Sequence, residues 1–331
     1  MIVLVDAFGR VATDLRVSLT DRCNLRCVYC MPPEGLDWLP NDDVLTDAEV
    51  VRVIGLAVSE GVREVRFTGG EPLLRRGLVD IVHAVSTGLR PRPQTSLTTN
   101  GVGLERIASS LAAAGLDRVN VSLDTLDPER FRQLALRGRL HDVLAGLEAA
   151  DSAGLSPIKI NTVLMRGVNE DEAVPLLRWC VARGYELRFI EQMPLDPQHG
   201  WDRATMITAE EILDRLSTEV QLTPEEADVR GSAPAETWLV DGGPARVGVI
   251  GSVTRPFCGN CDRVRLTADG QVRNCLFARS EDDLRGPLRA GASDAELTAI
   301  LRRALAGKKP GHGIDDPGFL QPARPMSAIG G

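Results

Sequence analysis

The stretch Leu15–Cys30, LRVSLTDRCNLRCVYC, decides the fold. Leu15–Leu19 reads as a short strand, and Cys23, Cys27 and Cys30 follow it directly in a loop. Working outward, the chain repeats strand then helix as far as Met193. The further strands are Glu64–Phe67, Thr95–Thr98, Arg118–Leu123, Ile158–Leu164 and Glu186–Ile190, short and rich in Val, Ile and Leu as buried parallel strands are. Thr46 with Glu49 forms a capping box ahead of Val50, Val51, Val53 and Ile54, and Gly61 ends that helix. Leu104, Ile107, Ala108 and Leu111 make a second helical stripe, closed by Gly115, and Asn169 is placed to cap a helix running to Gly184. Six such units predict an α/β fold, an incomplete (β/α)6 TIM-type barrel, with an open doubly wound sheet as the alternative. Polar residues gather after the strands, at Thr68–Pro72, Thr99–Gly101, Ser122 with Asp124, and Glu191 with Met193. Several strands feeding one mouth favours the barrel.

The pattern then changes. Thr208–Leu216 is a capped helix, and Gln221–Pro234 is an acidic, proline-bearing loop. Thr237–Val240, Val247–Ile250, Val264–Thr267 and Val272–Cys275 read as short antiparallel strands, with a hairpin turn at Asp269-Gly270. A helix over Asp294–Leu305 precedes a Gly- and Pro-rich segment, Gly307–Gly331, expected to be a mobile tail. This predicts a barrel unit over residues 1–220 and a C-terminal α+β extension over 221–331.

A hydrophobic fraction of 43% is enough for a real core, and a net charge of −8 argues against general binding to nucleic acid or an anionic membrane. A local basic pocket remains compatible with it. No signal peptide or membrane span is read at the start, so a cytoplasmic, reducing location is expected. There, the seven cysteines read as two spaced groups of metal or cluster ligands, leaving Cys180 as a buried thiol in an apolar helix.

The first group has the spacing Cys-x3-Cys-x2-Cys. Three thiolates do not complete a structural zinc site without a fourth ligand, and none of the four histidines is nearby in sequence. A four-iron cluster held by three cysteines leaves one iron open for chemistry. Spacing alone leaves cluster and zinc both standing. The second group is a knuckle, Cys258-Gly259-Asn260-Cys261, followed by Cys275; here zinc with His312 as fourth ligand is a serious alternative. Arg263 and Arg265, two apart on a strand, face the same side and suit a phosphate or a polar base edge. Arg16, Arg66, Lys159 and Arg188 lie on barrel strands, where charges are rare unless they line a site. Together these six cations predict a mouth that binds an anion as highly charged as a triphosphate.

The segment Cys23–Cys30 resembles the signature of the radical S-adenosylmethionine superfamily, and Gly69-Gly70-Glu71-Pro72 resembles its second motif. The whole chain, from Asp6-Ala7-Phe8 to the last two glycines, is similar to the GTP 3′,8-cyclase family. Matching pieces are Leu15–Ser18, Val65–Pro72, Thr98–Gly101, Asn120–Asp124, Lys159–Val163, Arg188–Glu191 with Met193, and the second cysteine group. One departure is Asp262, where many relatives have Asn. The resemblance implies that Cys23, Cys27 and Cys30 hold a 4Fe–4S cluster whose open iron chelates S-adenosylmethionine. Reductive cleavage leaves a 5′-deoxyadenosyl radical, which removes the ribose C3′ hydrogen of GTP, and the carbon radical closes onto guanine C8. It implies that Tyr29, Gly70, Ser122 and Met193 hold S-adenosylmethionine, and that Arg16, Arg66, Thr98, Lys159, Arg188, Arg263, Val264 and Arg265 meet GTP. Cys258, Cys261 and Cys275 match ligands of a second 4Fe–4S cluster whose open iron meets the guanine. Arg263 and Arg265 match the catalytic arginines that position substrate and a tail reaching into the site. The resemblance further implies a homodimer, a reducing electron donor, and delivery of the product to cyclic pyranopterin monophosphate synthase, after this first step of molybdenum cofactor biosynthesis. The rivals are a peptide-modifying radical enzyme, which usually carries more C-terminal cysteines, and a zinc-bearing scaffold, which leaves the basic strand residues unexplained.

Overall fold

The computed structural model describes residues 3–226 and 230–330, so three residues of the expected loop Gln221–Pro234, and Gly331 of the tail, lie outside the described residues. The six expected strands form within a residue or so of their predicted limits: β1 (Asp14–Ser18), β2 (Glu64–Thr68), β3 (Gln94–Thr99), β4 (Arg118–Ser122), β5 (Ile158–Val163) and β6 (Glu186–Ile190). They pair in sequence order, each parallel to the next. Their apolar alternates, such as Leu15, Val17, Val65, Phe67, Leu97 and Val119, are fully buried under the covering helices. The opposite alternates, Arg16, Arg66, Lys159 and Arg188 among them, stand on the other face.

The C-terminal strands are β7 (Leu222–Pro224), β8 (Glu236–Val240), β9 (Arg246–Ile250), β10 (Arg263–Leu266), β11 (Gln271–Arg273) and β12 (Asp282–Asp283). The expectation that they form an antiparallel set holds for only some of them. β9 adds parallel to β6, with Arg188 opposite Gly248, and β10 adds parallel to β1, with Arg16 opposite Arg265. Antiparallel pairs extend the sheet beyond each, β8 and β7 on one side and β11 and β12 on the other. The result is one twelve-stranded sheet, mostly parallel, in which the C-terminal third flanks the first six strands.

Local signals account for most of the helices. Capping boxes at Thr46/Glu49 and Thr208/Glu211 start the helices Asp47–Ser59 and Ala209–Ser217, and a third at Ser293/Glu296 starts Asp294–Ala306. Asn169 stands at the start of a 3-10 turn, Glu170–Glu172, that runs into the helix, but its side chain makes no capping bond. Its side chain donates to Asp124 O and Val163 O and accepts from Met165 N, tying the ends of β4 and β5 together, and the helix begins at Ala173. Cys180 is fully buried, and burial pushes its thiol up to about 12. The expected mobile tail is docked instead: Arg324 pairs with Asp269 at 2.7 Å, and Ile329 is buried. Among the described residues no helix is long and apolar enough to cross a membrane.

Candidate active site

The strand ends meet around one cavity, lined by Cys23, Cys27 and Cys30 on one side and by Arg16, Arg66, Arg188, Arg263 and Arg265 deeper in. The cysteine loop is bolted down from two directions. Arg26 N and Val28 N donate to Ala135 O and Leu134 O at the end of the helix Pro128–Ala135. From the other side, Gly70 N donates to Thr20 O and Glu71 N to Arg22 O, both at 2.7 Å. This close approach explains the glycines. A Cβ on Gly69 would lie 2.4 Å from Thr20 O, and one on Gly70 would lie 2.4 Å from both Asp21 O and Arg22 O.

Glu71 is the hub of that contact. Fully buried, it accepts from Leu73 N, Thr99 Oγ1 and Asn100 N at 2.7–2.9 Å. Burial lifts its carboxyl to about 7 against the pull of those donors. Asn100, fixed by Glu71, bonds Asn24 Oδ1 at 2.7 Å and lies 3.7 Å from Cys23 Sγ. Tyr29 donates to Asp124 Oδ2 at 2.7 Å, and burial raises the Asp124 carboxyl to about 6. Burial, and then neighbouring negative charge, pushes the Cys27 and Cys30 thiols up, Cys30 to about 12. Three half-buried cysteines bordering one cavity are a donor set whose chemistry suits an iron–sulfur cluster.

The deeper wall is crowded with positive charge. Arg16 stands opposite Arg66 on one neighbouring strand and Arg265 on the other. Burial, then the Arg66 and Arg265 charges, drives the Arg16 guanidinium far below its ordinary value. Arg188 and Arg265 fall to about 10, again through burial first and a neighbouring arginine second. Asp14 is the nearby carboxylate, 3.8 Å from Arg16 and 4.0 Å from Arg66. Among the described residues, the buried Nε atoms of Arg16, Arg66 and Arg263 have no hydrogen-bond acceptor, and Asn161 Oδ1 has no donor. Such a wall fits a multiply charged anion.

The second cysteine group lies beside this wall, at the start of β10. Burial alone would raise Cys261, but the charges of Arg263 and Lys308 bring it below its ordinary value. Cys258 is raised by burial, against a hydrogen bond from the His312 main chain, and Cys275 and Cys261 act on it as further negative charges. The His312 ring is engaged elsewhere, with Nε2 3.0 Å from Ser252 O and Nδ1 accepting from Ile314 N. That removes the argument for His312 as a zinc ligand. The tail closes over the cavity. Met326 and Ser327 join its lining, and Arg265 Nη1 donates to Gly330 O. Gly330 has φ +83°, and a Cβ there would lie 2.8 Å from Thr68 Cγ2.

Of the residues singled out in the sequence, Tyr29, Gly70, Ser122, Met193 and Thr98 line the same cavity as the arginines. Lys159 and Val264 do not. Lys159, on β5, is paired with Glu186 at 2.7 Å. The Val264 side chain is fully buried in the core, which leaves only its main chain to meet a substrate. Sequence reasoning missed Asp14, Glu71 as a hub, Asn161 and the tail residues Met326 and Ser327. Asp14 carried a signal, as an acid two residues from Arg16 on the same strand face, and the resemblance implied a tail in the site without pointing to Met326 or Ser327.

Residues 17–180 match the family model of the radical SAM superfamily, and residues 185–314 match that of Molybdenum Cofactor Synthesis C. Two crystal structures of Streptococcus suis SuiB, one of them bound to S-adenosylmethionine, share the fold. Their TM-scores are 0.59 and 0.60 at 13% identity, over 88% and 92% of this chain and 68% of the other. The GTP 3′,8-cyclase of Streptomyces coelicolor is 67% identical over 330 residues, 99% of this chain and 96% of its own. Those of Mycobacterium sp. strain KMS and Corynebacterium glutamicum are 59% and 58% identical over 99% of this chain and 93% and 89% of theirs. With that identity along nearly its full length, and with the radical SAM model over its first strands, the chain belongs to the GTP 3′,8-cyclase family of radical S-adenosylmethionine enzymes.

Proposed function

We propose that this chain cyclises GTP to (8S)-3′,8-cyclo-7,8-dihydroguanosine 5′-triphosphate, the first step of molybdenum cofactor biosynthesis. The observation that carries this reading is the meeting of the cysteine loop and five arginines, three of them buried, in one cavity. A nucleotide triphosphate and a radical source both have a matching wall there. Residues from β1 to β6 and from β10 line that one cavity, which a flat sheet does not allow, and this supports reading the sheet as a partial barrel. In functional terms we keep residues 1–220 as the radical-generating unit and 221–331 as the unit of the second cluster and the tail.

When bound on Cys23, Cys27 and Cys30, a 4Fe–4S cluster supplies the electron that cleaves S-adenosylmethionine to a 5′-deoxyadenosyl radical. The chain does the rest by holding and excluding. Tyr29, fixed by Asp124, with Gly70, Ser122 and Met193, holds S-adenosylmethionine beside the loop. Arg16, Arg66, Arg188, Arg263 and Arg265 bind the triphosphate, Thr98 and the main chain of Val264 add contacts to the nucleoside, and Lys159 is kept as a further GTP contact. A bound triphosphate relieves the mutual repulsion of the arginines, so substrate binding is coupled to the electrostatics of the wall. The tail excludes water from the mouth, with Gly330 held by Arg265. Cys258, Cys261 and Cys275 hold a second 4Fe–4S cluster; the engagement of the His312 ring elsewhere supports a cluster over zinc. A cytoplasmic homodimer, a reducing electron donor and cyclic pyranopterin monophosphate synthase as the next enzyme complete the reading. Anaerobic incubation with GTP, S-adenosylmethionine and dithionite, followed by mass spectrometry, tests it. Cyclised nucleotide is expected, formed with 5′-deoxyadenosine, and 5′-deoxyadenosine without any cyclised nucleotide overturns it.

A further inference from the structure

Lys308 is a buried lysine without a carboxylate. It is 5% exposed, and no ion pair includes it among the described residues. A buried ammonium is costly unless negative charge and a full set of acceptors surround it. Its three donors have three acceptors: Cys261 O at 2.8 Å, Arg263 O at 2.8 Å and Cys261 Sγ at 3.4 Å. The two carbonyls are neutral dipoles, so the thiolate of Cys261 is the one anion in that set.

The surroundings show that this position is fixed from several sides. Lys308 follows the C-cap of the helix Asp294–Ala306, and its N–H returns to Leu305 O. The end of that helix is tied to the residue before Cys275 by Asn274 Nδ2 on Ala304 O at 2.8 Å. On the far side Arg10, paired with Asp6, donates to Cys258 O at 2.6 Å, to Lys309 O at 2.6 Å and to Pro310 O at 3.1 Å. The segment carrying Lys308 is therefore bonded directly at Cys261, linked through Arg10 to Cys258, and tied through the helix before it to Asn274 beside Cys275. Its ammonium also spans the turn from Cys261 to Arg263, where the knuckle becomes the strand that bears Arg263 and Arg265.

We infer that Lys308 is a positioning residue of the second cluster and raises its reduction potential, by placing a buried positive charge and an N–H donor on the Cys261 thiolate. The inference rests on the reading of Cys258, Cys261 and Cys275 as cluster ligands. A fixed cation beside a ligand sulfur favours the state with the added electron, and N–H···S hydrogen bonds act in the same direction. In the same contact Lys308 fixes the distance between the cluster and the two substrate arginines.

The test uses the reconstituted holoenzyme, as wild type, Lys308→Met and Lys308→Arg. Iron content is measured first, and then the midpoint potentials by redox titration followed by electron paramagnetic resonance. The signal left unchanged by added S-adenosylmethionine reports the second cluster. Lys308→Met, of similar length and without charge, is expected to shift its reduction equilibrium by about tenfold toward the oxidised form, about 59 mV for a one-electron couple. Lys308→Arg should recover most of that shift, and the first cluster should keep its potential in all three proteins. Selective loss of the second cluster in Lys308→Met, restored in Lys308→Arg, also supports the positioning role. An unchanged potential in a fully loaded Lys308→Met overturns the inference, as does loss of the second cluster in both variants. Wild type with only one cluster overturns it differently, because the ligand reading itself then falls.

Discussion

The guanidinium of Arg16 is buried between those of Arg66 and Arg265, and among the described residues only Asp14 offers it opposite charge at short range. This is an unfavourable place for a cation until an anion arrives, which gives a paired prediction. Arg16→Met should weaken GTP binding about tenfold or more, since a charge-assisted hydrogen bond to phosphate is lost. The melting temperature of the nucleotide-free protein should not fall, because an apolar chain of similar length replaces a poorly compensated buried charge. Isothermal titration with GTP and a thermal melt read the two effects separately, and unchanged affinity removes Arg16 from the substrate wall. Cys27→Ser should abolish 5′-deoxyadenosine formation, since a hydroxyl is a poor replacement for a thiolate ligand; wild-type release of that product in an anaerobic assay defeats the assignment. At this scale the sequence was most legible where chemistry is local. Three cysteines in eight residues, and arginines on strands that should be apolar, announce themselves. Glu71 did not, because its partners Thr99 and Asn100 are contributed by the following strand and nothing in its own neighbourhood marks it as their anchor.

Two glycines act at the level of elements, each where one backbone lies against another. Gly70 lets the turn after β2 press on the carbonyls of Asp21 and Arg22, which lead into the cysteine loop. Gly70→Ala should push that loop away and lower iron from about eight to about four per chain, the second cluster surviving. Full iron content would mean that the loop can shift without losing its ligands. Gly330→Ala tests the tail. A left-handed φ and a 2.8 Å approach to Thr68 should undock the last turn from Arg265, reducing cyclised product by about tenfold or more while both clusters and the melting temperature stay unchanged. Normal turnover would make the docked tail incidental. The elements themselves were legible because strand runs and capping boxes are written within a few residues. The pairing of β9 and β10 was not. A run such as Val264–Leu266 states that it is a strand, but the direction of its partner is set by β1, about 250 residues away.

At the scale of the molecule, the two cysteine groups lie far apart in sequence; the first lines the cavity directly, while the second stands next to Arg263 and Leu276, which line it. Cys258→Ser separates them. The first loop, held by Gly70 and by the helix Pro128–Ala135, does not depend on the knuckle. Slow 5′-deoxyadenosine formation should therefore survive, while cyclised nucleotide disappears, since a misplacement of about 1 Å can cost roughly a hundredfold in rate. Both products are counted in the same anaerobic reaction; undiminished cyclised nucleotide would reduce the second group to a structural role. The sheet carries a further consequence, for the chain as it is being made. β1 is ready early, but its outer partner β10 is among the last strands to be synthesised, and β6 likewise waits for β9. Until residues 246–266 leave the ribosome, the six-strand intermediate exposes two unsatisfied edges. A chain stopped at residue 220 should accordingly accumulate in aggregates when expressed, and co-expression of the missing C-terminal part as a separate polypeptide should return some of it to solution. The substrate wall is thus finished by nearly the last strand translated, so a nascent chain cannot bind nucleotide before its sheet is closed to aggregation.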